Sequence, residues 1–335
     1  MNLIYRITAG LFAAAFVANL AVAQSQGISK TEIVIGTIQD LSGPIAAFGK
    51  QARNGIQMRV DEINEKGGIN GRKFKLVVED NGYDPKKALL AAQKLVTNDE
   101  VFAILGHLGT AANMAAMPIQ FEKNVINFFP LTGSREMFEP PEKLKMAVAP
   151  PYFDQMRIVV PQLVKQKSAK KVGIIYQDDE YGLEVLRGTE AGLKKMGMVL
   201  AEKTSFKRGA TDFSSQVAKL KAAGCDLVVL GTIIRETVGA VGEARKTGFN
   251  PTFTHLIHAL GKEAVEGVYG VHTAANPYLD DPNPLVREWA GKYKAKFSED
   301  ATVFSVYGYY MMDIFGKAAE KAGVKSVPAF VTPNG

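Results

Sequence analysis

The sequence predicts an α/β protein with two lobes, each formed by a doubly wound parallel sheet, joined by a hinge. First, short β-branched apolar runs alternate with segments whose apolar residues recur at helical spacing, which is typical of parallel sheets covered by helices on both faces. Second, this alternation occurs in two series, separated near Pro150-Pro151. Third, about 310 residues beyond an N-terminal leader suffice for two domains of roughly 150 residues each.

The first series begins with the strand "TEIVIGTI" at residues 31–38, and apolar residues at helical spacing from Ala52 to Ile63 predict the helix that follows. The turn at Asn70-Gly71 leads into the strand "RKFKLVVED". Asp84-Pro85 is suited to the N-cap and first turn of the second helix. The strand "VFAILG", a helix after Thr110 and the strand "VINFFPL" complete this series.

The second series consists of the strand "KVGIIYQ", the helix "YGLEVLRGTEAGLKKMG", the strand "VLAEKTSF", the helix "DFSSQVAKLKAAG", the strand "DLVVLG" and the helix "ETVGAVGEARKTG". Two helical segments come last. The tyrosines and methionines between 307 and 312 in the final one are expected to pack in a core. We therefore predict that residues 28–148 and 276–335 form the first lobe and residues 149–275 the second.

The first 23 residues have the pattern of a secretory signal peptide. Arg6 precedes an uncharged run that ends in the small-residue motif Ala21-Val22-Ala23. A transmembrane anchor is the alternative, but the apolar run is short and no basic cluster follows it. No cysteine directly follows the small residues of the cleavage motif, which argues against a lipoprotein. We expect cleavage near Ala23 and a periplasmic protein.

The charge of the chain argues against a nucleic-acid partner. The formal net charge is +6, and removal of residues 1–23 takes away Arg6 and no acid, which leaves +5. Lys and Arg are scattered among Asp and Glu and form no basic patch. This distribution is typical of a solvated surface.

Disulfide, metal and cofactor chemistry have little support. Cys225 is the one cysteine, and its apolar neighbours indicate a buried, inert thiol. His255 and His258 are the only closely spaced histidines, and no cysteine-rich or carboxylate-rich motif accompanies them. The chain has no P-loop, and no G-x-G-x-x-G motif opens a helix after the first strand. We expect neither a metal nor a cofactor.

Functional residues are expected at the carboxyl ends of the parallel strands, where open α/β sheets bind ligands. Phe48 follows the first strand and either contacts an apolar ligand or staples the start of the helix. Thr110 is expected to be the N-cap of a helix whose first amides form an anion site. Thr132-Gly133 offers a second hydroxyl and amide cluster after the fourth strand. Tyr181 begins a helix in the second series, where simple packing is the alternative role.

An enzyme is the alternative to a binding protein. His107 and Thr110 are candidates for a general base beside a nucleophilic hydroxyl, a pair that requires hydrogen-bond contact. No orienting acid is identifiable near them, and the sequence lacks a G-x-S-x-G nucleophile elbow. We therefore favour a protein without catalytic function and interpret His107 as a hydrogen-bonded histidine at the end of a strand.

Longer motifs are specific enough to indicate a family. The chain reads "IVIGTIQDLSGP", then "FGKQARNGIQMRVDEINEKGGINGRKFKLVVEDNGYDPKKALLAAQKLV", "ILGHLGT" and "QDDEYGLEVLRGTEAGLKKMG". These motifs resemble the branched-chain amino-acid-binding (Leu/Ile/Val) family of extracytoplasmic solute-binding proteins, over nearly all of residues 31–320. The resemblance implies a type I periplasmic-binding fold that closes over a small molecule and delivers it to an ABC permease in the inner membrane. We also expect a monomer.

The resemblance assigns roles to the residues already singled out. The family's ligand positions match Phe48, Thr110, Thr132, Gly133 and Tyr181. In the family, the hydroxyl and amide groups at the positions of Thr110 and Thr132-Gly133 hold the carboxylate of the ligand. This implied role agrees with the anion site expected from the helix start.

The sequence also departs from the family. Tyr83 and Gly109 stand where the family has a cysteine pair, and no acid lies between Pro251 and Gly261 to pair with the α-ammonium of an amino acid. A buried ammonium without a counter-charge costs several kcal/mol. Aromatic or keto acids are therefore expected to compete with branched-chain amino acids as ligands. A ligand-sensing receptor lobe of the same fold is a further alternative to a transport protein.

Overall fold

The computed structural model describes residues 26–255, 267–270 and 274–323. The signal peptide predicted at residues 1–23 lies outside these ranges, and so does His258. Within them, no helix combines the length and the apolar composition that crossing a membrane requires.

The first sheet has five parallel strands in the order β2-β1-β3-β4-β5. The chain moves to one side of β1 and then to the other, so the crevice beyond β1 and β3 is the kind of switch point where open sheets bind ligands. The elements of this half are β1 (Glu32–Gln39), α1 (Ala46–Glu65), β2 (Lys73–Asp80), α2 (Pro85–Thr97), β3 (Ala103–Leu105), α3 (Thr110–Glu122), β4 (Ile126–Phe128), a 3₁₀ turn (Arg135–Met137) and β5 (Lys145–Met146).

The second sheet also has five parallel strands, in the order β10-β9-β8-β6-β7. Its switch point lies between β6 and β8. Its elements, followed by the last two helices of the described chain, are α4 (Tyr152–Lys167), β6 (Val172–Gln177), α5 (Glu180–Lys194), β7 (Glu202–Phe206), α6 (Ser214–Ala222), β8 (Leu227–Gly231), α7 (Ile234–Lys246), β9 (Thr252–His255), β10 (Val268–Gly270), α8 (Pro284–Phe297) and α9 (Val303–Ala322).

The chain returns to the first sheet at its end, where α9 packs along α1. Two glycines allow the backbones of these helices to touch. A Cβ atom at Gly55 would lie 2.0 Å from the carbonyl oxygen of Ser305, and one at Gly308 would lie 2.1 Å from that of Ala52. Any larger residue at either position would force the two helices apart.

Apolar side chains cover both faces of the first sheet. Ile35 packs in a cluster with Phe315 of α9, while Ile104 packs on the opposite face with Leu95 of α2. Burial of each such side chain contributes about 1.5–3 kcal/mol relative to its exposure. The helices on each side are therefore held by the sheet between them.

The predicted fold class, two α/β lobes with parallel sheets, is confirmed. Elements without a counterpart among the predicted ones include α4, β5 and β10. Proline explains the omission of α4, because Pro161 lies inside the helix and Pro150-Pro151 precedes it, and proline usually ends helices. The exact lobe boundaries stay a prediction.

Candidate functional site

A cavity of about 510 Å³ lies between residues that follow the carboxyl ends of strands in both sheets. The first sheet contributes the segments after β1, β3 and β4, and the second contributes Tyr181 after β6 and Ile233 after β8. Helix α9 adds Phe304 and Tyr307. Over the described parts of the chain, no acidic, basic or histidine residue lines this cavity. Its wall is mainly apolar, with a few hydroxyl and amide groups.

All five residues predicted as ligand contacts lie at this cavity. Phe48, Thr110, Thr132 and Gly133 come from the first lobe, and Tyr181 comes from the second. The strand order explains the convergence, because residues that follow neighbouring parallel strands meet at one edge of the sheet. That these residues touch a ligand stays a prediction.

A network of hydroxyl groups forms the polar part of the cavity. The Thr110 and Thr132 hydroxyls share a hydrogen bond of 2.7 Å, and the Thr132 oxygen also accepts a 3.3 Å bond from the amide of Ser134. The Tyr152 hydroxyl is also buried beside Thr132. Burial raises the pKa of this hydroxyl, and its interaction with the Thr132 hydroxyl has a smaller, opposing effect. The Tyr152 amide donates to the carbonyl of Gly133 at 2.6 Å. Three hydroxyl groups are thus held together at one end of the cavity.

The prediction that Thr110 is a helix N-cap is wrong. Gly109 occupies the N-cap position with a φ angle of 104°, and Thr110 is the first helical residue. The left-handed backbone of glycine turns the chain, so the threonine hydroxyl need not cap the helix and pairs with Thr132 instead. The first amides of α3 still lack partners within the helix, so the helix start retains the partial positive charge that favours an anion.

The catalytic pair considered for His107 and Thr110 is not assembled. His107 is fully buried, and neither ring nitrogen has a hydrogen-bond partner among the described residues. Burial lowers its pKa to about 3, so the ring is neutral near pH 7. The expectation of a hydrogen-bonded histidine is therefore also wrong, and no base among the described residues is hydrogen-bonded to the Thr110 hydroxyl.

Of the two roles that the sequence left open for Phe48, the structure excludes the staple, and ligand contact stays a prediction. Its ring stacks on Phe304 of α9, with centroids 4.0 Å apart and planes within 10°, and it lines the cavity. A hydrophobic staple is excluded in its usual form, because Phe48 is the third residue of α1 and does not precede the helix. The Phe48–Phe304 pair instead provides a flat apolar wall.

Tyr181 lines the cavity with its ring, while its hydroxyl is committed elsewhere. The hydroxyl donates a 2.9 Å hydrogen bond to the carbonyl of Thr232, and the ring meets Tyr152 edge to face. Burial raises the pKa of Tyr181 well above its ordinary value, so the group stays neutral. The nearby His255 places Nε2 2.8 Å from the same carbonyl and therefore donates to it. The second-lobe wall thus uses its polar groups internally.

The charged residues that the structure describes in the second lobe stay away from the cavity. Arg235 pairs with Glu236 at 3.1 Å, and neither residue lines the cavity. The loop in which an acid was sought, from residue 256 onward, lies outside the described residues. The substitutes for the family's cysteines do face each other, since a Cβ at Gly109 would lie 3.1 Å from the ring of Tyr83.

Several lining residues were missed by the sequence reasoning. Tyr83, Tyr152 and Phe304 were not proposed, although Tyr152 directly follows the Pro150-Pro151 interruption and so could have been suspected. Tyr310 was expected in the core, but it lines the cavity and is 45% exposed. Met311 and Met312 are buried as expected, although Met311 also reaches the cavity. Nothing in the sequence of α9 itself indicates that this helix lies at the cavity.

Comparisons with known proteins agree with this architecture. A family model described as "Periplasmic binding protein" matches residues 32–332. An "Amino acid binding protein" of Pseudomonas aeruginosa is 30% identical over 317 residues, which cover 91% of this chain and 83% of the relative. A leucine-, isoleucine-, valine-, threonine- and alanine-binding protein of the same species is 26% identical, with 93% of this chain and 84% of the relative covered.

Solved structures share the fold. A fatty acid ABC transporter substrate-binding protein from Thermomonospora curvata superposes with a TM-score of 0.82 and 25% identity, covering 92% of this chain and 81% of that one. A branched-chain amino acid transporter substrate-binding protein from Streptococcus pneumoniae, solved with isoleucine, has a TM-score of 0.76 and 23% identity, with 90% and 87% covered. At this identity, the second likeness concerns the fold alone.

Proposed function

Since the chain belongs to the branched-chain amino-acid-binding family of periplasmic binding proteins, we propose that it captures a small carboxylate-bearing solute and delivers it to an ABC permease in the inner membrane. The observation that carries this proposal is the cavity of about 510 Å³, which has a hydroxyl and amide cluster at one end and an apolar remainder. Cavities of several hundred Å³ with few polar groups are typical of small-molecule sites.

The carboxylate is assigned to the first-lobe end of the cavity. Thr110, Thr132 and Tyr152 offer hydroxyl donors there, and the first turn of α3 offers unpaired amides. A helix start favours negative charge by about 0.3–1 kcal/mol, and each hydrogen bond to a charged group adds about 1.5–3 kcal/mol. These groups suit a carboxylate without requiring a lysine or arginine.

The remainder of the ligand is assigned to uncharged surroundings. Phe48, Phe304 and Ile233 also line the cavity, and no described lining residue carries a charge that would pair with an ammonium. An α-amino group would therefore lose its hydration without gaining a counter-charge, which is costly. We infer that aromatic or keto acids bind at least as well as branched-chain amino acids.

A matched pair of ligands tests this proposal. Isothermal titration of the mature chain, from residue 24 onward, compares 4-methyl-2-oxovalerate with leucine, which differ in the group on the α-carbon. The expected result is a Kd for the keto acid no weaker than that for leucine. Clear preference for leucine would overturn the ligand assignment but leave the binding function intact.

A broader screen tests the binding function itself. Because a ligand that binds only the native state raises the melting temperature, a panel of amino, keto and aromatic acids is expected to contain at least one stabilising compound. A melting temperature that no compound in the panel raises would contradict the proposal that the protein binds a carboxylate. Capture of permease subunits from membranes by the ligand-loaded protein would support the transport role, whereas capture of a signalling protein instead would favour a receptor.

A further inference from the structure

One arginine in each lobe makes contacts that join the two lobes near Tyr181. Arg208 pairs with Asp179 just before α5, and Arg135 pairs with Glu184 within α5. We propose that Arg135 and Arg208 are positioning residues that stabilise the closed arrangement of the lobes even without a ligand. The proposal goes beyond solute binding, because it concerns what holds the cavity walls in place.

Arg208 reaches from the second lobe to the first. Its Nη1 atom donates a 2.8 Å hydrogen bond to the carbonyl of Tyr83, and its guanidinium lies 4.2 Å from the centroid of the Tyr83 ring. Nη2 pairs with Asp179, whose other oxygen accepts from the amides of Tyr181 and Gly182 at the start of α5. Arg208 therefore ties the start of α5 to a first-lobe residue that lines the cavity.

Arg135 reaches in the opposite direction. It belongs to the 3₁₀ turn between β4 and β5, and its Nε atom lies 3.4 Å from Oε2 of Glu184 in α5. Its guanidinium also sits 4.2 Å from the centroid of the Phe153 ring in α4. Cation–π contacts of this kind contribute alongside the ion pair.

Glu184 makes the second contact important, because its carboxylate is fully buried. In the described chain neither carboxylate oxygen has a hydrogen bond of good geometry, and its ion-pair partners are Arg135 and Arg187. Arg187 is on the same helix and stays beside Glu184 whatever the lobes do. Separation of the lobes would remove Arg135 and leave Glu184 with Arg187 as its one remaining described ion-pair partner.

The contacts of Arg135 and Arg208 differ from ordinary surface pairs because they join one lobe to the other. Lobes within one chain move relative to each other unless a large interface prevents it. Arg208 keeps Asp179 in any arrangement but loses Tyr83 when the lobes separate, and Arg135 loses both of its second-lobe partners. Each arginine therefore stabilises the closed arrangement of the lobes relative to the open one.

Interlobe distances measured without any ligand test the proposal. Spin labels at L90C in the first lobe and V199C in the second occupy side chains that are 64% and 83% exposed, and C225A removes the native thiol. Double electron–electron resonance then reports the ratio of closed to open molecules. Since the measurement needs no ligand, its outcome is independent of the ligand assignment above.

The expected result is a closed population in the labelled parent and a fall of about tenfold in the closed-to-open ratio for R135A and for R208A, as loss of one charged hydrogen bond predicts. E184Q, which keeps the shape of the side chain, should behave as R135A does. The control K207A removes a lysine contact that stays within the second lobe, to Asp178, and should leave the ratio unchanged. A parent that is fully open, or distances unaffected in both R135A and R208A, would overturn the proposal.

Discussion

Replacement of Thr110 by valine is the most direct test of the carboxylate site. Valine has nearly the same shape as threonine but lacks the hydroxyl, so the variant removes one hydrogen-bonding group and leaves the packing in place. The position is 2% exposed, so water cannot replace the lost group. The perturbation is thereby confined to one oxygen atom.

The structure sets the size of the effect. In the free protein, the Thr110 hydroxyl has one described side-chain partner, Thr132 at 2.7 Å. Loss of a neutral hydrogen bond costs about 0.5–1.5 kcal/mol of stability, and Thr132 keeps its contacts with Tyr152 and the Ser134 amide. With a bound carboxylate, the missing bond is to a charged group and costs about 1.5–3 kcal/mol. At 1.4 kcal/mol per factor of ten, affinity should fall between about tenfold and about a hundredfold.

Titration calorimetry of the best ligand from the screen measures the affinity, and denaturant unfolding measures the stability. T189V is the matched control, since Thr189 is another buried threonine whose hydroxyl donates a 2.8 Å bond to the carbonyl of Val185, within α5. It should lose comparable stability and no affinity. An affinity in T110V equal to that of the parent, or an equal loss in T189V, would refute the assignment of Thr110 to the carboxylate.

Three further predictions concern the rest of the molecule. G308A should lower the free energy of unfolding by at least about 1–3 kcal/mol, measured by denaturant titration, because the new methyl group would lie 2.1 Å from the carbonyl of Ala52; an unchanged midpoint would contradict the close helix contact. Burial lowers the pKa of His107 from 6.5 to about 3, so the unfolded chain binds a proton that the native protein does not; stability present above pH 6.5 should fall by up to about 2 kcal/mol by pH 5, and H107L should lack this part of the loss. Cys225 is buried and burial raises its pKa to about 11, so a thiol reagent should label it only on unfolding, and rapid labelling of the native protein would be inconsistent with its position.

The sequence revealed the elements that have local signals. Asp84 accepts hydrogen bonds from the amides of Lys86 and Lys87 at the start of α2, with Pro85 in the first turn, as its residue type predicted. The long β-branched run of β1 was equally clear. The five predicted site residues converge on the cavity because each comes after the carboxyl end of a parallel strand, which is where the sequence predicted ligand contacts.

The site features that the sequence did not predict depend on contacts between distant parts of the chain. Tyr152 binds the Thr132 network only because the chain crosses between the lobes at that point, and Phe304 meets Phe48 across more than two hundred residues. The pairing of Thr110 with Thr132 follows from the left-handed turn at Gly109, which residue type alone left open. The spacing of residues within one segment carries no information about these long-range contacts.

The packing of α9 along α1 also bears on the order in which the protein folds. Ala52 and Gly308 are 256 positions apart, and closing so long a loop costs roughly 5 kcal/mol of chain entropy before any contact is gained. The second sheet, whose strands all lie within that interval, needs no such closure and is expected to form first. Pulsed hydrogen exchange during refolding should then show α5 and β8 protected before α1, and simultaneous protection would contradict this order. During synthesis, the first lobe would likewise lack the helix that completes its core until α9 has emerged, so it would stay incompletely folded while the second sheet is being made.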